Sequence, residues 1–307
     1  MADLIGRPGD RTLPIWRLGP NVYHRHGIDP QTVVLRTFDA RTRRSMAAHG
    51  SGRLHYVIDD DVAAGVEEPD LSAGYRKRLA RLRSGVMSDM LAQARHVYAS
   101  SERLAHRLRP LNAAVEQIAP TLAAPVADLS HHDGRSLRIV FPGTRSHRAD
   151  LEAVAWDLRK FLLLRPEATL FTWLGDAAPS ALRLPNARHH RGLGWPAFRD
   201  VLRSERFHLA LLPARPTAFN AARSHNKVLE SASFGAAPVV GRAMPYADLV
   251  EREGSGAIVH GSWFDALVGL DRDRAALRRR AERNAALATR IGAPERLLRF
   301  WCERLGV

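Results

Sequence analysis

Cysteine and long apolar runs are the features this chain has least of. It contains one cysteine, Cys302, among 307 residues. A single cysteine excludes an internal disulfide and a cysteine-based zinc site. No stretch of eighteen apolar residues occurs, which argues against a transmembrane helix. Residues 1–10 lack the apolar core of a signal peptide, so a cytoplasmic location is the default expectation.

Two catalytic signatures are also missing. No Gly-x-Ser-x-Gly elbow occurs, and Cys302 falls in a terminal amphipathic segment, so nucleophilic catalysis finds little support. No Gly-x-Gly-x-x-Gly follows the first predicted strand, which argues against a dinucleotide enzyme. We therefore expect no cofactor and no bound metal.

Basic residues, by contrast, are in excess. The chain has 46 Lys and Arg against 32 Asp and Glu, a formal net charge of +14. A high-GC genome that favours arginine is the plain explanation. Nucleic acid, an anionic membrane face or a pyrophosphate-bearing substrate are the functional ones. The arginines are scattered and no nucleic-acid signature appears, so we rank nucleic acid last and expect no such partner.

Alternating strands and helices predict an α/β fold. In the first half, strands are expected at 13–18, 32–37, 54–58 and 96–99, and helices at 76–93 and from Ser101 to about Leu108. The stretch from Pro120 to Ser136 has prolines, small residues and polar punctuation, so the linker is expected there, at 126–136. The predicted organisation is a shortened N-terminal domain at 1–125, a second domain at 137–290, and a terminal helix in 291–307 that packs back on the first domain.

The second half shows the same alternation. Strands are expected at 137–141, 169–174 and 257–260, and helices at 146–164, 195–203, 246–253, 272–289 and from Trp263. Histidines 131 and 132, in the linker, are expected to have no functional role.

The most informative segment runs from Phe207 to Gly241. A short apolar strand, a polar loop, a short helix and a second apolar strand follow one another. Ser224 is placed to cap the helix and Gly235 to end it. Strands without polar alternation indicate a buried parallel sheet, in which ligands bind beyond the carboxyl ends of the strands.

Several polar residues of this segment fall at that ligand-binding edge, where a phosphate-bearing ligand would be held. They are Arg215, Arg223, His225, Asn226, Lys227 and Glu230. Lys227 and Glu230 are three residues apart and share a helix face. Alone, such a pair indicates no more than a surface ion pair worth about 0.2–0.5 kcal/mol. The flanking apolar strands and the Gly-x-x-Pro-Val-Val ending favour a nucleotide site.

This segment resembles the donor-nucleotide segment of GT-B glycosyltransferases, and most closely the group 1 (family 4) type used in bacterial polysaccharide synthesis. The matching residues are Phe219, Asn220, Ser224, Lys227, Glu230, Gly235, Pro238 and Val239. The resemblance implies two Rossmann-like domains with parallel sheets facing a cleft. It also implies that Glu230 holds the ribose of a sugar nucleotide and that the loop and helix start, with Asn220, Ser224 and Asn226, approach the diphosphate.

One position departs from the family pattern. Many members carry a second glutamate eight residues before the first, where this chain has Ala222. The usual Glu-x7-Glu pair, with its sugar-contacting role, is therefore incomplete. This departure supports an alternative hypothesis, in which the protein is a catalytically inactive sugar-nucleotide-binding or assembly subunit.

A second candidate site follows the first strand of the second half. Gly143 and Thr144 precede a predicted helix start, where backbone N–H groups bind anions. The run from Gly143 to Leu151 resembles the turn that faces the donor phosphates in the polysaccharide subset, which makes Arg145 and His147 candidate contacts. The alternative is an ordinary strand–helix turn capped by Ser146.

Three adjacent acids, Asp59, Asp60 and Asp61, follow the strand at 54–58. Asp-x-Asp holds a divalent cation in GT-A glycosyltransferases, but the donor signals here lie far downstream. The stretch also resembles a Tyr-x-Ile-Asp-Asp-Asp run in the first domain of polysaccharide GT-B enzymes. That likeness implies an acceptor contact or a general base; the alternative is a cap cluster repelled into solvent.

Two histidine-containing segments complete the candidates. His189, His190 and Arg191 follow the third strand of the second half, a region that approaches the nucleotide base in the family, and Arg191 is the candidate contact. Residues 23–27 are predicted to form a polar surface loop. Adjacent histidines are poorly spaced for a metal.

Together these features predict a metal-independent glycosyltransferase. It would move a sugar from a nucleotide-sugar donor to a glycan or lipid-linked saccharide acceptor. Arg145 and Lys227 would stabilise the departing diphosphate. The family likeness implies retention of the anomeric configuration. The excess of basic residues suggests peripheral contact with an anionic membrane at the inner face of the cytoplasmic membrane.

Overall fold

The computed structural model describes residues 15–50 and 52–306. It divides into two compact units. The first comprises the described residues of Met1–Ala119 with Ala222–Ser224 and Pro294–Val307. The second comprises Pro120–Ala221 and His225–Ala293. The predicted linker, 126–136, lies in the second unit and contains a 3₁₀ turn at Ser130–Asp133.

The first unit is built on a six-stranded sheet in the order β1-β2-β3-β4-β5-β6. The pairs β1–β2 and β2–β3 are antiparallel, and the remaining pairs are parallel. Its strands are β1 (Ile15–Gly19), β2 (Val22–Arg25), β3 (Gln31–Leu35), β4 (Arg53–Ile58), β5 (His96–Ala99) and β6 (Val115–Gln117). Its helices are α1 (Ala40–His49), α2 (Val62–Glu67), α3 (Ala73–Leu82), α4 (Ser88–Gln93), α5 (Glu102–Leu108) and α14 (Pro294–Leu305).

The second unit has a six-stranded sheet that is parallel throughout, in the order β12-β11-β10-β7-β8-β9. Its strands are β7 (Leu137–Phe141), β8 (Ala168–Thr172), β9 (Ala187–His189), β10 (Leu209–Leu212), β11 (Ala237–Gly241) and β12 (Ala257–Val259). Its helices are α6 (Arg148–Glu152), α7 (Ala155–Leu164), α8 (Trp195–Ser204), α9 (Ala218–Ala221), α10 (Asn226–Ser233), α11 (Ala247–Glu253), α12 (Trp263–Arg272) and α13 (Arg274–Ile291).

The predicted strands are confirmed, but β2 and the short strand β6 were missed, and β9 was expected without bounds. The prediction of a surface loop at 23–27 is wrong, because Val22–Arg25 is strand β2. Tyr23 and His24 are buried, and His24 Nδ1 lies 2.9 Å from Thr32 Oγ1 on the neighbouring strand. This cross-strand bond gives Nδ1 of the imidazole a partner inside the sheet. Residues 13 and 14 of the first predicted strand lie outside the described residues.

Three helices predicted as continuous are interrupted. The helix expected at 146–164 consists of a 3₁₀ turn (Arg145–His147), α6 and α7, because the chain leaves helical geometry at Val154. The helix at 76–93 contains a π-helical turn at Arg83–Met87. Asp273 interrupts the one at 272–289, and its carboxylate caps α13 at the N–H of Ala276.

Buried apolar contacts fix helix α10 in place. Residues Val228 to Ser233 are all buried, and Leu229 and Ala232 pack on Ala288 of α13. Gly235 ends the helix as predicted, with a φ of +69° that favours glycine. A Cβ at this position would also lie 2.7 Å from the His131 ring, so the turn has no room for a side chain.

The terminal helix α14 belongs to the first unit. Trp301 and Leu305 pack in one buried cluster with Tyr23, Val33 and Tyr98. The ring centroids of Trp301 and Tyr98 lie 5.2 Å apart, nearly perpendicular. Among the described residues, no helix is long and apolar enough to cross a membrane.

Candidate functional site

Helix α10 brings a buried carboxylate to the carboxyl edge of the second sheet. The Glu230 side chain is 3% exposed. Its Oε1 accepts a hydrogen bond from Asn226 Nδ2 at 2.8 Å, and its Oε2 accepts one from Lys227 Nζ at 2.6 Å. Because these partners precede Glu230 by four and three residues, one helix face supplies the whole arrangement.

Lys227 ties this helix to the neighbouring strand. Its Nζ also donates to the carbonyl oxygen of Pro142, directly after β7, at 3.0 Å. The ammonium lies 5.4 Å from the centroid of the Phe198 ring on α8. Two of its three N–H groups are thus committed to protein oxygens, so Lys227 orients Glu230 and leaves one donor for a ligand.

The helix start differs from the prediction. Ser224 does not cap α10, because the N-cap residue is His225 and no side-chain cap bond forms. Ser224 belongs to the first unit. Burial lowers the pKa of His225, so its imidazole is neutral at pH 7 and carries no charge toward an anion.

Asp150 is a second buried carboxylate at this edge, and sequence reasoning missed it. Its Oδ1 accepts from the backbone N–H of Arg215 at 3.0 Å and from Asn220 Nδ2 at 2.8 Å. Its Oδ2 lies 3.2 Å from His147 Nδ1. Asp150 therefore holds the loop after β10 against the turn after β7. The signal was present, since Asp150 follows His147 by three residues on a predicted helix.

The turn after β7 leaves one cation uncommitted. The Arg145 side chain is exposed and has no hydrogen-bond or ion-pair partner within residues 15–50 and 52–306. Thr144 Oγ1 lies 2.9 Å from Ser146 Oγ. A Cβ on Gly143 would collide with the Phe141 ring, so the turn requires glycine at this point.

Arg191 lies apart from these groups. It follows β9, which is separated from β7 by β8, so about 10 Å of sheet lies between the two strands. It is exposed, and the described residues offer it no ion-pair partner. The structure thus brings together Gly143, His147, Asn220, Asn226, Lys227 and Glu230, with Thr144 and Arg145 on the same turn. Arg191 is not among them.

The first unit has its own cluster at the carboxyl ends of β3 and β4. Asp59 and Asp60 are held by Arg36, whose Nη1 lies 3.0 Å from Asp59 Oδ1 and 2.7 Å from Asp60 Oδ2. The side chain of Asp59 is 64% exposed and that of Asp60 is 17% exposed. An arginine therefore clamps both carboxylates, of which Asp60 is shielded and Asp59 stays largely exposed to solvent.

Arg36 adopts an unusual backbone conformation for this role. Its φ is +59°, which only Arg36 shows among the described non-glycine residues. Its backbone oxygen accepts a hydrogen bond from the Tyr56 hydroxyl at 2.9 Å. Burial opposes its charge, but Asp59 and Asp60 outweigh that effect and raise its pKa above the ordinary value. The predicted strand at 32–37 includes Arg36, whereas β3 ends at Leu35, so sequence reasoning found no sign of this role.

Asp61 has a structural task. It is buried, and its Oδ1 accepts from the backbone N–H of Ala64 at 3.0 Å, which caps helix α2. Its other oxygen pairs with Arg107. Of the three acids, only Asp59 and Asp60 are thus left to face a ligand. No group of three or more metal-binding side chains able to hold an ion occurs in the described part of the chain.

Comparison with known proteins identifies the fold. No family model and no curated protein sequence matches the chain. Solved structures do match. WaaG, a glycosyltransferase involved in lipopolysaccharide biosynthesis, has a TM-score of 0.59 at 13% identity, over 84% of this chain and 80% of WaaG. Sucrose-phosphate synthase from Thermosynechococcus elongatus has a TM-score of 0.60 at 11% identity, over 86% and 70%.

A third match contains ligands. Anabaena HepE in complex with UDP and glucose has a TM-score of 0.60 at 11% identity, over 85% of this chain and 73% of HepE. These neighbours are GT-B glycosyltransferases, so the chain has the GT-B fold and the predicted fold class is confirmed. The family 4 subtype stays a prediction.

Proposed function

We propose that this protein is a glycosyltransferase that moves a sugar from a nucleotide-sugar donor to a glycan or lipid-linked saccharide acceptor. The observation that carries the proposal is the grouping of Glu230, Lys227 and the free Arg145 at the carboxyl edge of an all-parallel sheet in a GT-B fold. In open parallel sheets this edge is where nucleotides bind.

The donor would be held by complementary charge. Arg145, with the backbone N–H groups of its turn, suits the diphosphate of the donor and of the departing nucleotide. Each Glu230 oxygen accepts one hydrogen bond, from Asn226 or from Lys227. The second lone pair of each oxygen can then accept a hydrogen bond from a ribose hydroxyl. Lys227 and Asn226 thereby keep the carboxylate oriented. The chemistry would need neither a metal nor a cofactor.

The first unit would serve the acceptor. Asp60, mostly shielded and clamped by Arg36, suits a contact to an acceptor hydroxyl or the role of general base. Asp59 suits the same contact from the solvent side. Retention of the anomeric configuration and a location in the cytoplasm, at the inner membrane face, remain part of the proposal.

Thermal stability with nucleotides tests the donor site. UDP, GDP, dTDP, CMP and ADP are added singly to the purified protein, and one of them is expected to raise the Tm because it binds the folded state. Glu230→Gln should abolish that shift, and Arg145→Gln should weaken binding about tenfold. Glu251→Gln and Arg109→Gln, which alter exposed ion pairs elsewhere, are the controls. No shift with any nucleotide would contradict the donor site.

The second candidate is an inactive sugar-nucleotide-binding subunit. Ala222, buried where the family pattern has a glutamate, favours it. Nucleotide release from the donor sugar separates the two candidates. For an enzyme, Asp60→Asn should lower turnover while donor binding is retained. An inactive subunit would bind the donor equally well before and after the substitution and release no nucleotide in either form.

A further inference from the structure

One surface of the second unit combines exposed apolar side chains with unpaired arginines. We call it the β9–α8 surface and define it by Arg188, His190, Arg191, Leu193 and Trp195. The strand β9 is the edge of the sheet, and α8 begins at Trp195. Leu193 is 41% exposed and Trp195 is 51% exposed. Large apolar side chains clustered this way on a surface mark an interaction site.

The surface is anchored on a rigid aromatic layer. The Arg188 guanidinium lies 5.8 Å from the centroid of the Phe171 ring, and the His190 ring stacks on Phe171 at 6.2 Å. The Trp195 ring lies 6.2 Å from that of Phe198, which packs on the buried Trp173. These contacts put Arg188, His190 and Trp195 on the sheet face that α8 covers.

Its charge has one sign. Residues 177–199 contain four arginines and no aspartate or glutamate. Across the described ranges, 15–50 and 52–306, the side chains of Arg188 and Arg191 have no hydrogen-bond or ion-pair partner. An arginine that is exposed and unpaired is available to a phosphate group, with which it forms paired hydrogen bonds.

We propose that the β9–α8 surface docks the protein on an anionic lipid bilayer. Tryptophan prefers the headgroup region, and a neighbouring leucine can enter the acyl boundary. Arginines beside them bind lipid phosphates, each strengthening attachment to an anionic leaflet. Nucleic acid would use the arginines but would leave the aliphatic Leu193 in water. The inference stands on these residues and does not depend on the donor assignment.

Vesicle co-sedimentation of the full-length protein tests the surface. Vesicles of phosphatidylcholine alone are compared with vesicles that also contain phosphatidylglycerol. We expect binding to the anionic vesicles only, weakening as salt is added. Arg188→Gln should weaken it about fivefold and the pair Leu193→Ser with Trp195→Ser about tenfold. All variants are first checked for an unchanged Tm without vesicles.

The chain offers a matched control in the same unit. Trp156 and Leu163 on α7 are 67% and 60% exposed and lie beside Lys160. The pair Trp156→Ser with Leu163→Ser removes the same residue types elsewhere, and we expect full vesicle binding. Equal loss in this control would overturn the assignment of the surface.

Three further results would overturn the proposal. The first is equal binding to neutral and anionic vesicles. The second is that a single-stranded oligonucleotide binds in a way that needs Arg188 while anionic vesicles do not bind. The third is that UDP or dTDP shields Trp195 from a fluorescence quencher and vesicles do not, which would assign the surface to the donor nucleotide.

Discussion

The two sheets treat acidic groups at their carboxyl edges differently. In the second unit, Glu230 and Asp150 are buried and receive most of their hydrogen bonds from amides and a lysine, which leaves Arg145 free. In the first unit, Asp59 and Asp60 lie nearer the surface and are held by Arg36, a charged clamp. One edge thus offers a cation, and the other offers carboxylates.

This difference is chemically instructive. A free arginine beside helix-start amides suits a diphosphate, whereas clamped carboxylates suit a hydroxyl group that must be oriented or deprotonated. Both edges obey the same rule of parallel sheets, that ligands bind beyond the strand ends. In the second unit the carboxylates are held by internal hydrogen bonds and an arginine remains for a ligand. In the first unit the arginine is used internally and the carboxylates remain.

Lowering the pH should destabilise the second unit more than the first, and this is the largest effect that we expect. Burial lowers the pKa of His208 to about 3 and that of His132 to about 4, both in the second unit. His208 Nδ1 accepts the N–H of Arg138 and its Nε2 donates to the His131 carbonyl, so the neutral ring is required. In the first unit, burial lowers the pKa of His55 to about 4.

The sign follows from linkage. Histidine in the unfolded chain has a pKa of about 6.5. The stability that a buried neutral histidine contributes is therefore complete above that pH and is lost as the pH falls toward the folded-state pKa. At about pH 5 each such histidine costs about 2 kcal/mol. Urea unfolding at about pH 7.5 and pH 5 should show the loss. The loss of unfolding free energy between these pH values should be smaller in His208→Gln than in His26→Gln, an exposed control. Equal losses in the two variants would contradict the role of His208.

Asp150→Ala should be the next largest effect. It leaves the Arg215 N–H, the Asn220 amide and the His147 ring without their shared acceptor. We expect the free energy of unfolding to fall by about 3 kcal/mol, since each hydrogen bond to a charged acceptor contributes about 1.5–3 kcal/mol. The exposed Asp176→Ala is the control, expected within about 0.5 kcal/mol of the parent. A loss below about 1 kcal/mol would show that the loop does not depend on Asp150.

Asp61→Ala tests the corresponding buried acid of the first unit. Loss of the α2 cap and of the Arg107 pair should cost about 2 kcal/mol. Asp61→Asn keeps a cap acceptor and should recover about half of that. Chemical denaturation measures both variants. If Asp61→Asn is as damaging as Asp61→Ala, the ion pair and not the cap stabilises this turn.

Sequence periodicity predicted the buried strands well, because parallel sheets bury continuous apolar runs that end abruptly in polar residues. For the same reason it located the two candidate edges. The motif of Lys227, Glu230 and Gly235 is local, so its helix could be placed to within two residues. Residues that interact along one helix lie close together in the sequence, so their contacts can be predicted from it.

Contacts between residues on different strands could not be predicted in this way. Arg36 and Asp60 are 24 residues apart and meet only because β3 and β4 pair in parallel. Asp150 reaches Asn220 across 70 residues. Strand β2 was missed because His24 looks solvent-seeking until its bond to Thr32 is known. Predicting the contacts of Arg36 with Asp60 and of Asp150 with Asn220 requires the strand order, which the pattern of single segments does not contain.

The place of α14 in the first unit has a consequence for biosynthesis. Tyr23, Val33 and Tyr98 are made early, but the cluster they form is closed by Trp301 and Leu305. After Tyr98 has been translated, about two hundred more residues must be added before Trp301 and Leu305 can cover that aromatic surface. Domains tend to fold as they emerge from the ribosome. The second unit, continuous but for three residues, can complete first. The half of the protein translated first would then be the half finished last, and during that interval it would need a chaperone or rapid elongation.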